Sequence, residues 1–324
     1  MRALIHHSFG DPAQVLGVED VETPQPGPGE VLVRTVLSPI HNHDLWTVRG
    51  TYGFKPELPA RAGTEAVGVV EAVGEGVTGF APGQRVATGG SFGAWAEFFV
   101  AEAGALIPVP EDLSDEVAAQ LVAMPFSAIS LLDFVQLNEG DWLVQNAANG
   151  AVGRLLAQLA AARGINVIGL VRRSSGVREL ASQGIERVVA TDDEGWREQV
   201  GQLTGGAPIV VGVDSVGGQA SGDVLSLLAE NGTLVVFGAM ASPTMQIGSG
   251  DVIFKQATVK GFWGSKVSAT MPAAKRGELF GELLQRIGSG ALTLPVEATY
   301  SFDDISAAAA ANTEPRVGKV LLRP

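Results

Sequence analysis

A short run of small residues near the middle of the chain has the composition of a phosphate-binding turn. It reads Ala148-Asn149-Gly150-Ala151-Val152-Gly153 and follows an apolar segment, Trp142 to Asn146. Where a strand turns into a helix, small residues let the backbone approach a pyrophosphate, and the helix N-terminus faces the negative charge. Ala148 replaces the first glycine of the G-x-G-x-x-G pattern. We therefore predict that residues 148–153 bind a dinucleotide; the alternative is a tight turn that only packs a helix.

The turn after the next apolar segment predicts which dinucleotide binds. Asn166 to Val171 runs into Arg172-Arg173-Ser174. An acidic residue about 20 positions beyond the glycine loop would hold the ribose 2′-hydroxyl of NAD, and it would repel a 2′-phosphate. Guanidinium groups attract a phosphate through charge-assisted hydrogen bonds. The sequence therefore predicts NADPH; the alternative is that both arginines lie in a solvated turn.

The composition predicts a globular enzyme and excludes other classes. The 324 residues are 46% hydrophobic and 18% charged, and the chain is longer than a single core usually supports. A net charge of -13 argues against nucleic acid or an anionic membrane as partner. The absence of cysteine excludes disulfides, a thiolate nucleophile and a thiolate metal site. Since no secretory or membrane-spanning pattern is present, we expect a cytoplasmic protein.

The apolar pattern predicts a mostly β domain over residues 1–117. Its predicted strands are Leu32 to Val36, Ala66 to Val73, Arg85 to Ala87 and Ala94 to Val100. Ser114 is the predicted N-cap of one helix that contains Val117, Gln120, Leu121 and Met124.

From residue 118, nearly continuous apolar strands alternate with helices, which indicates a parallel sheet covered on both faces. The predicted strands of this doubly wound domain are Trp142 to Asn146, Asn166 to Val171, Ile209 to Asp214, Thr233 to Gly238 and Thr258 to Phe262. A helix around Ala274 to Ile287 and strands at Glu297 to Tyr300 and Gly318 to Leu322 follow. We expect this tail to return to the first domain.

This order of domains resembles the medium-chain dehydrogenase/reductase superfamily over essentially the whole chain. The resemblance implies an α/β fold with three parts: a GroES-like, mostly β catalytic domain (1–117), an NADP-binding Rossmann domain (118–263), and a helix and strands that return to the catalytic domain (264–324).

The zinc alcohol dehydrogenases of that superfamily have Cys-Gly-x-Asp where this chain has His41-Asn42-His43-Asp44, and Gly-His-Glu where it has Gly63-Thr64-Glu65. Their second cysteine would fall near Phe126. Because Thr64 and Phe126 cannot complete a tetrahedral site, we expect no metal. His41 and His43 could instead form a divergent metal site with Asp44 or Glu65. The other interpretation of these two imidazoles is that they only form hydrogen bonds in a cleft wall.

Three segments are similar to the NADPH-dependent 2-enoyl thioester reductases: Gly50 to Pro59, Val144 to Ala147, and Ile253 to Lys255 leading into Lys260 to Trp263. In that family a tyrosine in a Gly-x-Tyr-Gly segment is the proton donor, and it matches Tyr52. Hydride delivery to an enoyl thioester puts negative charge on the carbonyl oxygen, which a phenol placed there would stabilise. A tyrosine that only packs a loop is the alternative.

The resemblance also implies the other site residues. The segment Phe237-Gly238-Ala239-Met240 would pass the nicotinamide, and Phe262-Trp263-Gly264 would close over it. Trp263 would also lie at the reaction site, and Lys319 would contact the cofactor. For Trp263 the alternative is a core aromatic on an edge strand. The family has Asn-Pro-Ser-Asp in place of His41 to Asp44, and an asparagine in place of Met124. The imidazoles could therefore supply a second proton donor or bind a different carbonyl.

Four functions remain open at this point, and a zinc alcohol dehydrogenase is the most remote of them. The first is reduction of a conjugated C=C in an enoyl thioester or similar enone, and the second is an NADPH:quinone or alkenal reductase. The third is a non-catalytic NADPH-binding sensor. The strand near Thr258 to Phe262 would be the last of its sheet, and an unprotected edge predicts a homodimer.

Overall fold

The computed structural model describes residues 1–324. The elements of the N-terminal part are β1 (Arg2–His6), α1 (Pro12–Val15), β2 (Gly17–Asp20), β3 (Glu30–Pro39), α2 (Asn42–Arg49), β4 (Ala60–Arg61), β5 (Ala66–Val73), β6 (Arg85–Thr88), β7 (Phe98–Glu102), β8 (Ile107–Pro108) and α3 (Asp115–Ala118). The central part contains α4 (Ala123–Val135), β9 (Trp142–Gln145), α5 (Ala151–Ala162), β10 (Asn166–Val171), α6 (Ser174–Ala181), β11 (Val188–Ala190), α7 (Trp196–Thr204), β12 (Ile209–Asp214), α8 (Gln219–Ser226), β13 (Thr233–Val236), α9 (Ser249–Phe254), β14 (Thr258–Gly261), α10 (Gly264–Thr270) and α11 (Ala273–Gly288). The C-terminal elements are β15 (Val296–Ser301), α12 (Ile305–Ala311) and β16 (Lys319–Arg323).

The chain forms two compact units. Unit 1 contains Met1–Ala123 and Leu294–Pro324, and unit 2 contains Met124–Thr293. The boundary expected at 117 lies slightly before this division, and residues 264–293, expected in the returning segment, lie in unit 2. The reason is packing: α11 stacks Phe280 on Phe126 of α4, and its Glu282 forms an ion pair with Arg163. Only residues from 294 onward return.

Unit 1 is built on a seven-stranded, mostly antiparallel sheet. Its order is β15-β16-β3-β5-β6-β8, and β7 also pairs with β3. The long strand β3 pairs antiparallel with β5 and, at its end, with β16 of the returning tail, in the register Leu321 to Pro39. A three-stranded sheet, β2-β1-β4, completes the unit. The returning tail therefore joins the first unit.

Unit 2 contains a parallel sheet of six strands in the order β11-β10-β9-β12-β13-β14. From β9 the following strands are added toward one edge of the sheet, and from β12 they are added toward the other edge. The direction of strand addition therefore reverses between β9 and β12. This is the doubly wound order, in which ligands bind at the carboxyl ends of the strands near the reversal. Its core includes the buried aliphatic residues of β9, β10 and β13, such as Val144, Ile168 and Leu234.

The structure corrects three details of the sequence prediction. The strand expected from Ala94 begins only at Phe98, because Trp95 and Ala96 form isolated contacts with β1 instead. The helix expected after Ser114 ends at Ala118, and a second helix begins at Ala123. Between them the N–H groups of Val122 and Ala123 bind the Glu65 carboxylate, which interrupts the helix. The three-residue strand β11 was not predicted because it is too short to show a pattern.

None of the helices combines the length with the apolar character that spanning a bilayer requires.

Candidate functional site

The predicted pyrophosphate turn lies between β9 and α5 of unit 2. Gly150 immediately precedes α5, and both Asn149 and Gly150 are exposed. A Cβ atom on Gly153 would lie 2.7 Å from the Ala147 carbonyl oxygen, so this close approach of helix to turn requires glycine. Helix α5 therefore presents its unpaired N-terminal N–H groups at an open turn of small residues, an arrangement that fits a phosphate.

Ala148 occupies the place of the first glycine in the pattern, and the neighbouring strand accommodates its methyl group. Ala148 is buried and donates its N–H to the Leu170 carbonyl oxygen of β10 at 3.2 Å. A Cβ atom on Gly169 would come within 2.8 Å of the Ala148 Cβ. The chain thus preserves the tight packing of the turn by having glycine on β10 instead.

The predicted ribose-side turn lies between β10 and α6. Arg172, Arg173 and Ser174 are exposed, and Ser174 is the first residue of α6. Neither arginine forms an ion pair within the protein, and no carboxylate of the chain bonds to either of them. Both guanidinium groups are therefore available to an anionic ligand.

A buried carboxylate organises the crevice between β9 and β12. Asp214 is fully buried, and its oxygens accept hydrogen bonds from Asn146 Nδ2 (2.6 Å), Ser221 Oγ (2.5 Å), and the N–H groups of Val216 and Gly217. Asn146 Oδ1 in turn accepts from the Ser215 N–H at 2.7 Å. This network joins the end of β9 to the turn after β12, and sequence reasoning did not identify it as part of the site.

The predicted nicotinamide segments lie at the ends of β13 and β14. The N–H of Phe237 donates to the Asp214 carbonyl oxygen, and the N–H of Met240 donates to the Ser215 carbonyl oxygen. These two bonds hold the segment Phe237-Gly238-Ala239-Met240 against the turn after β12. The Phe262 ring is 5.9 Å from the Phe237 ring. A cleft of about 380 Å³ is lined by Val236, Gly261, Phe262, Trp263, Lys266 and Val267.

All predicted dinucleotide contacts of unit 2 therefore follow the carboxyl ends of parallel strands and lie at one edge of the sheet. Trp263, 64% exposed beside this cleft, is not a core aromatic. Tyr52 and Lys319 lie in unit 1. The roles of these residues stay predictions.

In unit 1 the β pairing brings three ionisable side chains together. His41 follows β3, Glu65 precedes β5, and Lys319 begins β16; both β5 and β16 pair with the end of β3. His41 Nε2 is 2.6 Å from Glu65 Oε2, and His41 Nδ1 is 2.9 Å from Lys319 Nζ. His41 and Glu65 are almost completely buried.

The partners of His41 determine where its proton lies. While Lys319 is charged and Glu65 is ionised, Nδ1 accepts from Lys319 and Nε2–H donates to Glu65, because an ammonium group can only donate and a carboxylate can only accept. Burial, the charge of Lys319 and His43 hold the pKa of His41 well below its ordinary value, so this imidazole is neutral. Burial also raises the pKa of Glu65 to about 7, against the hydrogen bonds from Ala123 and Val122 N–H, and lowers the pKa of Lys319 to about 8. Lys319, predicted to contact the cofactor, thus has a protein partner in unit 1.

A second set of polar residues lies beside His41 and includes Tyr52. Helix α2 ends at Arg49, and Gly50 caps it in a left-handed conformation. The Tyr52 N–H then donates to the Trp46 carbonyl oxygen at 3.3 Å. The half-buried Tyr52 ring lies 5.9 Å from the His43 ring. His43 Nε2 is 2.8 Å from Thr64 Oγ1. Burial and the Asp44 charge raise the pKa of Tyr52 above its ordinary value.

The structure places no group of three or more histidine, cysteine, aspartate or glutamate side chains in a metal-binding arrangement. His41 is held by Glu65 and Lys319, and His43 by Thr64, which is the hydrogen-bonding interpretation of the two imidazoles. That the protein binds no metal stays a prediction, and these hydrogen bonds of His41 and His43 support it. The contact of Lys319 with His41 had no signal in the sequence, because about 280 residues of chain separate the two.

Two known domain families match the two parts of the chain. Residues 27–111 match the alcohol dehydrogenase GroES-like domain, and residues 151–276 match the zinc-binding dehydrogenase family. The human mitochondrial enoyl-[acyl-carrier-protein] reductase is 35% identical over 97% of this chain and 86% of its own length.

Solved structures of quinone oxidoreductases have the same fold. The Pseudomonas syringae enzyme superimposes with a TM-score of 0.89 at 29% identity, covering 100% of this chain and 99% of that one. The Escherichia coli quinone oxidoreductase complexed with NADPH gives a TM-score of 0.90 at 26% identity and full coverage of both chains. The chain therefore belongs to the medium-chain dehydrogenase/reductase superfamily, in which its relatives include enoyl reductases and quinone oxidoreductases.

Proposed function

We propose that this chain is an NADPH-dependent oxidoreductase that transfers a hydride to the conjugated C=C of an enoyl thioester or a similar enone. The observation that carries the proposal is the open, small-residue turn before α5, followed on the next strand by two unpaired arginines, Arg172 and Arg173. The similarity to enoyl reductases over 97% of the chain supports the acceptor class.

The residues of unit 2 fit NADPH. The exposed Gly150 before α5 leaves room for the backbone to approach a pyrophosphate, and the free guanidinium groups suit a 2′-phosphate. Phe237 and Trp263 offer apolar surfaces at the strand ends where a nicotinamide ring would lie. When bound, the cofactor supplies the hydride.

The residues of unit 1 stabilise the charge that the reduction creates. Reduction of a conjugated C=C places negative charge on the carbonyl oxygen, and a preorganised donor lowers that barrier. The raised pKa of Tyr52 keeps its phenol protonated and therefore able to donate a hydrogen bond. Replacing Tyr52 by Phe removes this donor.

A kinetic comparison tests this function. NADPH oxidation is followed with crotonyl thioesters, alkenals and naphthoquinones, for the wild type and for Tyr52→Phe. We expect turnover of a thioester or enone, and a kcat at least about 10-fold lower in Tyr52→Phe than in wild type. Tight NADPH binding without oxidation by any acceptor would instead indicate a non-catalytic sensor, and an unchanged kcat would remove Tyr52 from the mechanism.

An NADPH:quinone or alkenal reductase is the second candidate. The likeness to two quinone oxidoreductases over the full chain favours it. Preferential reduction of naphthoquinone in the same assay would select it, because both functions use the same cofactor site and differ in the acceptor.

We also propose a homodimer and retain the cytoplasmic location as a prediction. Strand β14 is the outer strand of its sheet, and all four of its residues are exposed. Phe254, at the end of α9, is 80% exposed just before this strand. An open edge with apolar neighbours favours pairing with a second copy. Sedimentation would measure the mass, and fractionation of cells the location.

A further inference from the structure

His43 has one ring nitrogen bound to the protein and one without a protein partner. Its Nε2 is 2.8 Å from Thr64 Oγ1, and Thr64 Oγ1 donates to Asp44 Oδ1 at 2.7 Å. Because the Thr64 hydroxyl has a single hydrogen, which the carboxylate accepts, it must accept a hydrogen bond from His43 Nε2–H. The free position on the ring is therefore Nδ1.

The surroundings hold the His43 ring in one orientation. It stacks on His41, with ring centroids 5.0 Å apart and 17° between the planes, and its other neighbour is the Tyr52 ring. The side chain is 24% exposed, so it can exchange protons with solvent. Its charge would be balanced by Asp44, whose Oδ1 is 3.5 Å from Nε2.

Of the two stacked imidazoles, only His43 has a ring nitrogen without a protein partner. His41 is neutral, since burial, Lys319 and His43 lower its pKa. Lys319 and Glu65 lie behind His41, on its two ring nitrogens. Asp44 lies on the Nε2 side of His43, and Tyr52 packs against its ring. His43 Nδ1 is therefore the one ring nitrogen of the pair that remains for a transferable proton.

Tyr52 is better suited to holding a proton than to losing it. Loss of its proton would create a phenolate in a half-buried position near the Asp44 carboxylate, and both factors raise its pKa. The reduction nevertheless needs one proton for each hydride.

We propose that His43, through Nδ1–H, is the proton donor that completes the reduction, while Tyr52 holds the developing oxyanion by a hydrogen bond. The inference rests on the proposed function. When bound, NADPH would supply the hydride that bonds to the β-carbon, which would leave the C=C electron pair on the α-carbon and carbonyl oxygen as an enolate held by Tyr52. The proton leaves His43 Nδ1 for the α-carbon, and neutral His43 then takes a proton from solvent.

The sharpest variant is His43→Gln, whose amide can still donate to Thr64 but has no titratable nitrogen. We expect a kcat at least about 10-fold lower, an unchanged Kd for NADPH, loss of the pH dependence of kcat, and partial recovery with added imidazole. His7→Gln is the matched control, because His7 is exposed and contacts only Glu19. It should retain the wild-type kcat and pH profile.

Two measurements leave His43 unchanged. In wild type and in Tyr52→Phe, kcat should fall as the pH rises, because the proposed step consumes a proton carried by His43. Nitrogen-15 NMR of the histidine rings, assigned with His43→Gln, should show neutral His43 as the Nε2–H tautomer. This readout does not depend on turnover.

The outcomes separate the inference from the proposed function. If wild type oxidises NADPH but His43→Gln retains its kcat and pH profile, the inference is wrong and the function stands. A loss of kcat that keeps the pH dependence and is not rescued by imidazole also overturns it, as does an Nδ1–H tautomer. If wild type reduces no acceptor, the proposed function fails and the inference falls with it.

Discussion

The buried carboxyl of Glu65 should make the stability of this protein depend on pH in a way that Glu65→Gln removes. Glu65 accepts hydrogen bonds from Val122 N–H and Ala123 N–H at 2.7 Å each and from His41 Nε2 at 2.6 Å. Burial nevertheless dominates and raises its pKa from 4.5 to about 7. The folded protein therefore holds a proton on Glu65 that the unfolded chain releases.

The sign and size follow from proton linkage. Between pH 4.5 and about 7 the folded state binds more protons than the unfolded state, so the contribution of Glu65 is fully present below the lower value and is lost as the pH rises through the upper one. One pKa unit corresponds to about 1.4 kcal/mol, so the loss is about 3 kcal/mol. In Glu65→Gln the amide oxygen still accepts from Val122 and Ala123, and no proton is exchanged. The stability of wild type relative to the variant should therefore fall by about 3 kcal/mol over this range.

Urea denaturation at several pH values between about 5 and 8 measures this difference directly. Fluorescence is a suitable probe because Trp95 is completely buried in the same unit. Glu111→Gln is the control, since Glu111 is exposed, and its stability should track that of wild type at each pH. A wild-type-to-Glu65→Gln difference that stays constant with pH would refute the reasoning, because it would mean that burial does not retain the proton.

Three further predictions concern unit 2. Replacing Arg172 and Arg173 together by Ala should raise the Kd for NADPH about 10-fold to 100-fold and leave that for NADH unchanged, as measured by cofactor fluorescence; equal weakening for both cofactors would contradict 2′-phosphate binding. Val259→Lys places a charge on the exposed edge strand and should convert the dimer to monomer in sedimentation, whereas an unchanged mass would place the interface elsewhere. Asp214→Ala leaves two side-chain and two backbone donors without an acceptor, at a cost of about 1–3 kcal/mol each. Its urea midpoint of unfolding should therefore be much lower than that of Asp214→Asn, which retains an oxygen. Equal midpoints would contradict the role of the network.

The cofactor half of the site could be predicted from sequence because its signals are local. The boundaries of β10 and β12 match the predicted Asn166 to Val171 and Ile209 to Asp214, and the turns that follow the strands are read from neighbouring residues. Parallel strands place their carboxyl ends at one edge, so predicting the strands also predicts that the turns after them share that edge. The Asp214 network escaped prediction because its Asn146 donor lies 68 residues away, on another strand.

The sequence by itself determined the two-part α/β organisation, the glycine loop, the arginine turn and the absence of any cysteine chemistry, because each depends on composition or on spacing within one element. Only the tertiary structure decided that His41 lies between Glu65 and Lys319, and that His43 keeps Nδ1 free beside Tyr52. These contacts depend on the pairing of β3 with β5 and β16, which joins residues far apart in the chain. Burial at that junction then shifts the pKa values of Glu65, His41 and Lys319, and no sequence pattern reports the depth at which a charge is buried.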